Sequence, residues 1–108
     1  RGRREGLTTS AIGKIFLAHD PALVRSLRRA ESMPVALEKE LAVITEQGYA
    51  LDLEEAEPGL NCLALPLRRQ GRVVAALGVA GPSQRLRKPA LRRLAATSMR
   101  EMFDILKL

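Results

Sequence analysis

Aromatic residues are scarce in this 108-residue chain: Phe16, Tyr49 and Phe103 are the only ones, and there is no tryptophan. An aromatic cage for a cation, or a platform on which bases stack, therefore has little to be built from. Cys62 is the only cysteine. It excludes an internal disulfide and makes a reducing cytoplasm the simplest setting. His19 is the only histidine, and His19 with Cys62 does not amount to zinc coordination, so no metal or other cofactor is expected. No apolar run approaches the ~18 residues of a membrane span, and no signal-peptide pattern opens the chain. The length suits one domain. About 60% of the unfolded surface is buried at this scale, which allows a core but a small one.

What the chain does have is positive charge, with a net value of +6. Lys and Arg neutralise phosphates and release counterions, so the balance invites a nucleic-acid reading. The charges are dispersed, however, over Arg3-Arg4, Arg28-Arg29, Arg68-Arg69-Arg72, Arg85-Arg87-Lys88 and Arg92-Arg93. Most fall in turns or at polar helix positions, which reads as a solvated basic surface. Convergence of these side chains on one face would reverse that reading.

Residues 1–6 read as a ragged polar start. Thr8-Thr9-Ser10 then offers N-capping hydroxyls to an apolar helix over 11–18. Asp20-Pro21 is an N-cap followed by proline at the first helical position, opening a short helix to about Ala30. Leu37, Leu41 and Ile44 recur at helical spacing, and Gly48 supplies the left-handed stop. Strands are expected over 49–53, 60–67 and 72–80, the last two joined by a hairpin at Arg69-Gln70-Gly71. Pro89 opens a final amphipathic helix with a stripe of Leu91, Leu94, Ala95, Ser98, Met102 and Ile105 or Leu106. The result is an α+β domain: a three-stranded antiparallel sheet with helices packed on it. Such a sheet leaves two edges, which proteins usually cover or pair. A fragment of a larger domain, or a chain whose edges pair with another copy, would explain that.

The stretch from Gly48 to Cys62 carries most of the functional information. It is a helix stop, a strand, an acidic connection and a second strand that begins near the only cysteine. Three blocks, in order and spacing, resemble the C-terminal effector-binding domain of IclR-type transcriptional regulators. One is Thr9-Ser10-Ala11-Ile12-Gly13-Lys14 with Leu17-Ala18. Another is Gly48, Asp52, Glu55 and Cys62, matching a signature of Gly, Asp or Ser, Glu and a Cys-type position. The last is Arg72 to Pro82, similar to a family strand that ends Ser-x-Ser-Gly-Pro. The resemblance spans about residues 6–108. It implies a GAF-like fold, a curved antiparallel sheet flanked by helices, with 1–108 as a partial effector-binding domain. The family's winged helix-turn-helix, which reads DNA, is absent from this sequence, as is the first part of the effector domain. That part normally contributes pocket wall, so the pocket here is expected to be open. Homodimers or homotetramers are implied, with a small metabolite, often a carboxylate, biasing DNA affinity through a second site.

The resemblance also places a site. Backbone amides of Ala11 and Ile12, at a helix N-terminus, would meet a ligand carboxylate. Asp52 would accept from a ligand hydroxyl, Cys62 would offer a polarisable wall, and Leu60 an apolar one. The bland alternatives are a capping carboxylate for Asp52 and core packing for Cys62 and Leu60. Gly78 and Ala80 stand where the family commonly has two serines that bind the carboxylate. Losing those donors costs roughly 1.5–3 kcal/mol each at a desolvated anion. A glyoxylate- or pyruvate-sized acid should then bind poorly, and the room left by Gly78 and Ala80 suits a bulkier, less polar effector.

An enzyme is a distant reading. Cys62 and His19 could pose as nucleophile and base, but nothing brings them together and no third group orients the histidine. Glu54, Glu55 and Glu57 read as a solvated acidic turn, with Glu55 bonding nearby backbone. The expectation is therefore an effector-sensing, oligomerising part of a regulator that touches DNA only through another domain. The alternative is a GAF-like interaction module without a ligand. A cavity framed by residues 11–12, 52, 62 and 78–80 favours the sensor, and large side chains filling that space favour the module.

Overall fold

Ser10 divides the start of the chain into two helices. The computed structural model describes residues 3–106, with side chains placed over 6–101. Helix α1 spans Arg3–Thr9 and α2 spans Ala11–Ala18. The expected ragged start over residues 1–6 is thus corrected from Arg3 onward, with Arg1 and Gly2 outside the described residues. Polarity was a poor guide because α1 is held by core packing of Leu7 and by hydrogen bonds at its end. Leu7 packs against the core, and Ser10 N donates to Gly6 O at 2.8 Å. The Ser10 hydroxyl donates to the same carbonyl.

The next elements follow their local signals. Helix α3 (Pro21–Arg29) starts at Asp20, whose Oδ1 accepts from Leu23 N at 3.1 Å. Helix α4 (Val35–Gln47) ends at Gly48 in the left-handed conformation, with its N–H on Ile44 O at 2.8 Å. Strand β1 is Ala50–Leu53, β2 is Leu60–Arg69 and β3 is Arg72–Pro82. Gln70 and Gly71 both have positive φ, the requirement of a tight hairpin turn whose twist matches its strands. Helix α5 runs Lys88–Leu106. Leu91 and Ala95 of its stripe are fully buried, while the side chains of Met102, Ile105 and Leu106 lie outside the described set.

The sheet is antiparallel in the order β1-β2-β3. Its two faces differ in side-chain size, and that difference positions the helices. One face presents Ala50 and Ala64, with Cys62 and Ala76, to a core of Ala11, Ile15, Leu17, Leu37, Leu41 and Ile44 from α2 and α4. The other presents Leu51, Leu63 and Leu65 to Leu91 and Ala95 of α5. Small residues on the first face let α2 lie close to the strands. Asn61 Nδ2 donates to Leu86 O at 2.8 Å and ties down the segment before α5. Its buried Oδ1 has no partner among the described residues, a cost of about 1–3 kcal/mol. Among the described residues β3 is an edge strand, with Val74, Leu77 and Val79 exposed.

Candidate functional site

The N-terminus of α2 meets β2 and β3 around a pocket of about 480 Å³. Ala11, Ile12, Cys62, Gly78 and Ala80 line it, together with Ser10, Leu63 and Val79. Five residues singled out in the sequence are therefore brought together here, from three separate elements. The sheet register explains the convergence: Cys62 pairs with Ala80, and Ala64 with Gly78, directly beneath the helix. The size falls in the range of small-molecule sites, roughly 300–1,000 Å³. Ile12 is 42% exposed, so one side of the pocket opens to solvent.

The lining is almost wholly apolar, and its polar groups are few. Ser10 Oγ accepts from Gly13 N at 3.0 Å, and Lys14 N donates to Ser10 O at 3.0 Å. The amides of Ala11 and Ile12 belong to the first turn, where a helix has no intrahelical acceptor to offer. They are the donors best placed for an anionic group. Gly78 leaves less room than its lack of a side chain implies. A Cβ there would lie 2.9 Å from Ile12 Cδ1, because Ile12 already covers the position. Ala80 lies further along the strand, in register with Cys62.

Asp52 and Leu60 do not line this pocket. Asp52 is 1% exposed, and its Oδ1 accepts from Glu55 N at 2.8 Å and Ala56 N at 3.2 Å. It caps the acidic loop, the arrangement its position at the start of that loop also allows. Leu60 closes the same loop, its N–H on Glu57 O and its carbonyl receiving Glu54 N. Asp52 still reaches the pocket electrostatically. Burial, followed by the charges of Asp52 and Glu57, pushes the Cys62 thiol above its ordinary value, so it is protonated near neutral pH.

Lys14 is the residue that sequence reasoning passed over, quoting it only as part of a motif. It is 0% exposed, and its ammonium group makes contacts of 2.8–2.9 Å to Glu40, Glu55 and the Leu51 carbonyl. All three donors of a lysine are used. Glu55 accordingly bonds a distant lysine rather than nearby backbone, because Lys14 offers a desolvated charge that needs an anion. One signal was available: a single charged residue inside the apolar run 11–18 must be satisfied by something.

His19 is engaged elsewhere, with Nδ1 at 2.9 Å from Ile15 O and Nε2 at 3.3 Å from Arg68 Nη2. Among the described residues no group of three or more His, Cys, Asp or Glu is arranged to hold a metal ion. Among the described residues the basic side chains do not share one cleft. Arg28 forks onto Glu38 at 3.0 and 3.1 Å, and that hydrogen bond holds the Glu38 carboxyl below its usual range. Arg68 and Arg72 border a cleft with Phe16 and His19, while Lys88 and Arg92 border another with Glu40 and Glu55.

An antiparallel sheet with helices on both faces, and a pocket at the start of a helix, defines an α+β domain with a candidate small-molecule site. Residues 1–102 match the family model described as bacterial transcriptional regulator IclR C-terminal, and the chain belongs to the IclR family. It is 39% identical over 97 residues to the regulator BhcR of Paracoccus denitrificans, covering 79% of this chain and 35% of that protein. It is 36% identical over 107 residues to KdgR of Escherichia coli, covering 88% and 41%. The chain thus spans about two-fifths or less of the length of these relatives, which are regulators and not enzymes. The crystal structure of the E. coli KdgR C-terminal domain superposes with a TM-score of 0.68 at 34% identity, over 83% of this chain and 62% of that one. The inducer-binding domain of PobR from Acinetobacter shares the fold at a TM-score of 0.77 and 19% identity, over 94% and 65%. No described helix is long and apolar enough to cross a membrane.

Proposed function

We propose that this chain is the effector-sensing part of an IclR-type regulator, holding a small organic molecule between the start of α2 and strand β3. Binding there would alter DNA affinity in a winged helix-turn-helix domain outside this sequence, in the bacterial cytoplasm where such regulators work. The observation that carries the reading is the pocket of about 480 Å³ lined by Ala11, Ile12, Cys62, Gly78 and Ala80. A double mutant of the PobR inducer-binding domain, which shares the fold, was crystallised with 3-hydroxybenzoic acid, an aromatic acid with one anionic end. The pocket here suits that kind of molecule: apolar walls for a ring or chain, and first-turn amides for one carboxylate. With Gly78 and Ala80 in place of hydroxyl donors, small keto acids are the poorer ligands.

A thermal-shift screen of the chain against aromatic and aliphatic acids, alcohols and sugar acids tests this. A ligand present at a hundred times its Kd adds about 2.7 kcal/mol of stability. The expected hit is a bulky monocarboxylate, lost in Ala80→Leu, which fills the pocket from an exposed strand position. Gly78→Ser with Ala80→Ser should shift preference toward pyruvate-sized acids. No shift with any compound would point instead to an interaction module without a ligand.

Self-association as a homodimer or homotetramer belongs to the same reading. The exposed apolar residues of β3 support it, since an unpaired strand edge is a template for pairing. Light scattering across a dilution series is expected to show a mass above the monomer's 11.8 kDa. A constant monomer at all concentrations would remove that part.

A further inference from the structure

Lys14 ties together four parts of the molecule. It stands on α2, one turn after Ser10 and Ala11 of the pocket. It reaches Glu40 on α4, the Leu51 carbonyl on β1 and Glu55 in the loop between β1 and β2. That loop has two further ties: Asp52 Oδ1 receives Glu55 N and Ala56 N, and Glu54 Oε1 receives Gly59 N at 3.1 Å. Asp52 pairs in register with Cys62, a pocket wall. A path of direct contacts therefore runs from Lys14 through Glu55, the loop and Asp52 to Cys62. A shorter one runs along α2 to Ala11 and Ile12.

We propose that Lys14 is a positioning residue for the pocket, its ammonium–Glu55 contact holding the 54–59 loop and its helix holding the opposite wall. This rests on the sensor reading of the pocket, although the geometry it predicts can be tested without a ligand. The charge count supports a device that tolerates adjustment. Two carboxylates serve one ammonium, and both are partly exposed, at 35% and 42%, while Lys14 is sealed. Losing Glu55 leaves Lys14 paired with Glu40 and Leu51 O, so the chain keeps its core while the loop loses its tie to α2.

Cys62 provides the readout, because it is the only thiol and lines the pocket. The experiment measures the rate and pH profile of Cys62 alkylation by iodoacetamide in wild type, Glu55→Gln and Leu91→Ala. Leu91 lies in the core on the other face of the sheet, so its variant lowers stability without touching the loop. With the tie to α2 lost, the loop that carries Glu57 is free to shift away from Cys62, which weakens the burial and negative charge that suppress the thiolate. Expected in Glu55→Gln is a thiol pKa moved down toward its ordinary value and severalfold faster alkylation near neutral pH. Leu91→Ala, compared at equal distance below its own melting temperature, should stay within about twofold of wild type. Equal rates in Glu55→Gln and wild type, or equal acceleration in both variants, would overturn the positioning role. If the screen yields a ligand, Glu55→Gln should weaken it and Leu91→Ala should not. If it yields none, the thiol profile still decides whether Lys14 positions the pocket wall.

Discussion

Replacing both carboxylates around Lys14, as Glu40→Gln with Glu55→Gln, is expected to destabilise the chain by roughly 3–5 kcal/mol, more than Lys14→Met does. All these changes abolish the same ion pairs, so a simple count of lost contacts predicts equal effects. Desolvation breaks the tie. Lys14 is sealed from water, and without its partners it is an uncompensated buried charge. Glu40 and Glu55 are about a third to two-fifths exposed, and without Lys14 they return to solvent. The cost of Lys14→Met is accordingly discounted to about 1–3 kcal/mol, the size of a few lost charged hydrogen bonds and an orphaned Leu51 carbonyl. At this chain length each kcal/mol moves the melting temperature by about 4–8 °C, so circular-dichroism melts separate the two cases. Lys14→Met as the costlier change would mean that water reaches the ammonium in solution.

Gly13→Ala should also destabilise, against the direction of helix propensity. Alanine is favoured over glycine in a helix interior by about 1 kcal/mol. At position 13, however, a Cβ would lie 2.5 Å from Leu7 O, 2.6 Å from Gly6 O and 2.7 Å from Leu7 Cα. These are backbone atoms of the preceding turns, unable to swing aside as a side-chain end could. The two helices must separate, and overpacking of this kind costs typically about 1–3 kcal/mol. Gly6→Ala is the internal control, since nothing lies within 4 Å of a Cβ there. It should be neutral or gain up to about 1 kcal/mol. Opposite signs for two glycine-to-alanine changes in adjacent helices are the outcome to look for in urea titrations. Stabilisation by both would show that α1 does not press on α2.

Elements whose signals are local were legible in advance. The Asp20-Pro21 start, the Gly48 stop and the Gln70-Gly71 turn act within a few residues of themselves, and each is found where it was expected. The three strands follow in the same way from apolar runs bounded by turn residues. Most of the pocket was legible too, but through the spacing of three blocks that resemble one family. Those blocks gave no reason to add Leu63 and Val79. Helix α1 was missed because its polar sequence is held by Leu7 packing and by Ser10 reaching back to Gly6, neither of which polarity reports.

The remaining questions depended on direction rather than identity. Asp52 could face a ligand or cap a loop with the same chemistry, and its carboxylate turned to two amides four residues away or less. Gly78 could open space, but Ile12 from another element covers it. Glu55 could bond its own loop, but the sealed ammonium of Lys14, 41 residues distant in sequence, claims it. Chain-local physics therefore set most of the elements and their caps, because those depend on backbone geometry over a few residues. The family was legible only as a resemblance carried by three blocks spaced along the chain. Side-chain partners were settled by packing, because burying a charge or closing a void depends on whichever distant groups the fold brings within a few ångströms.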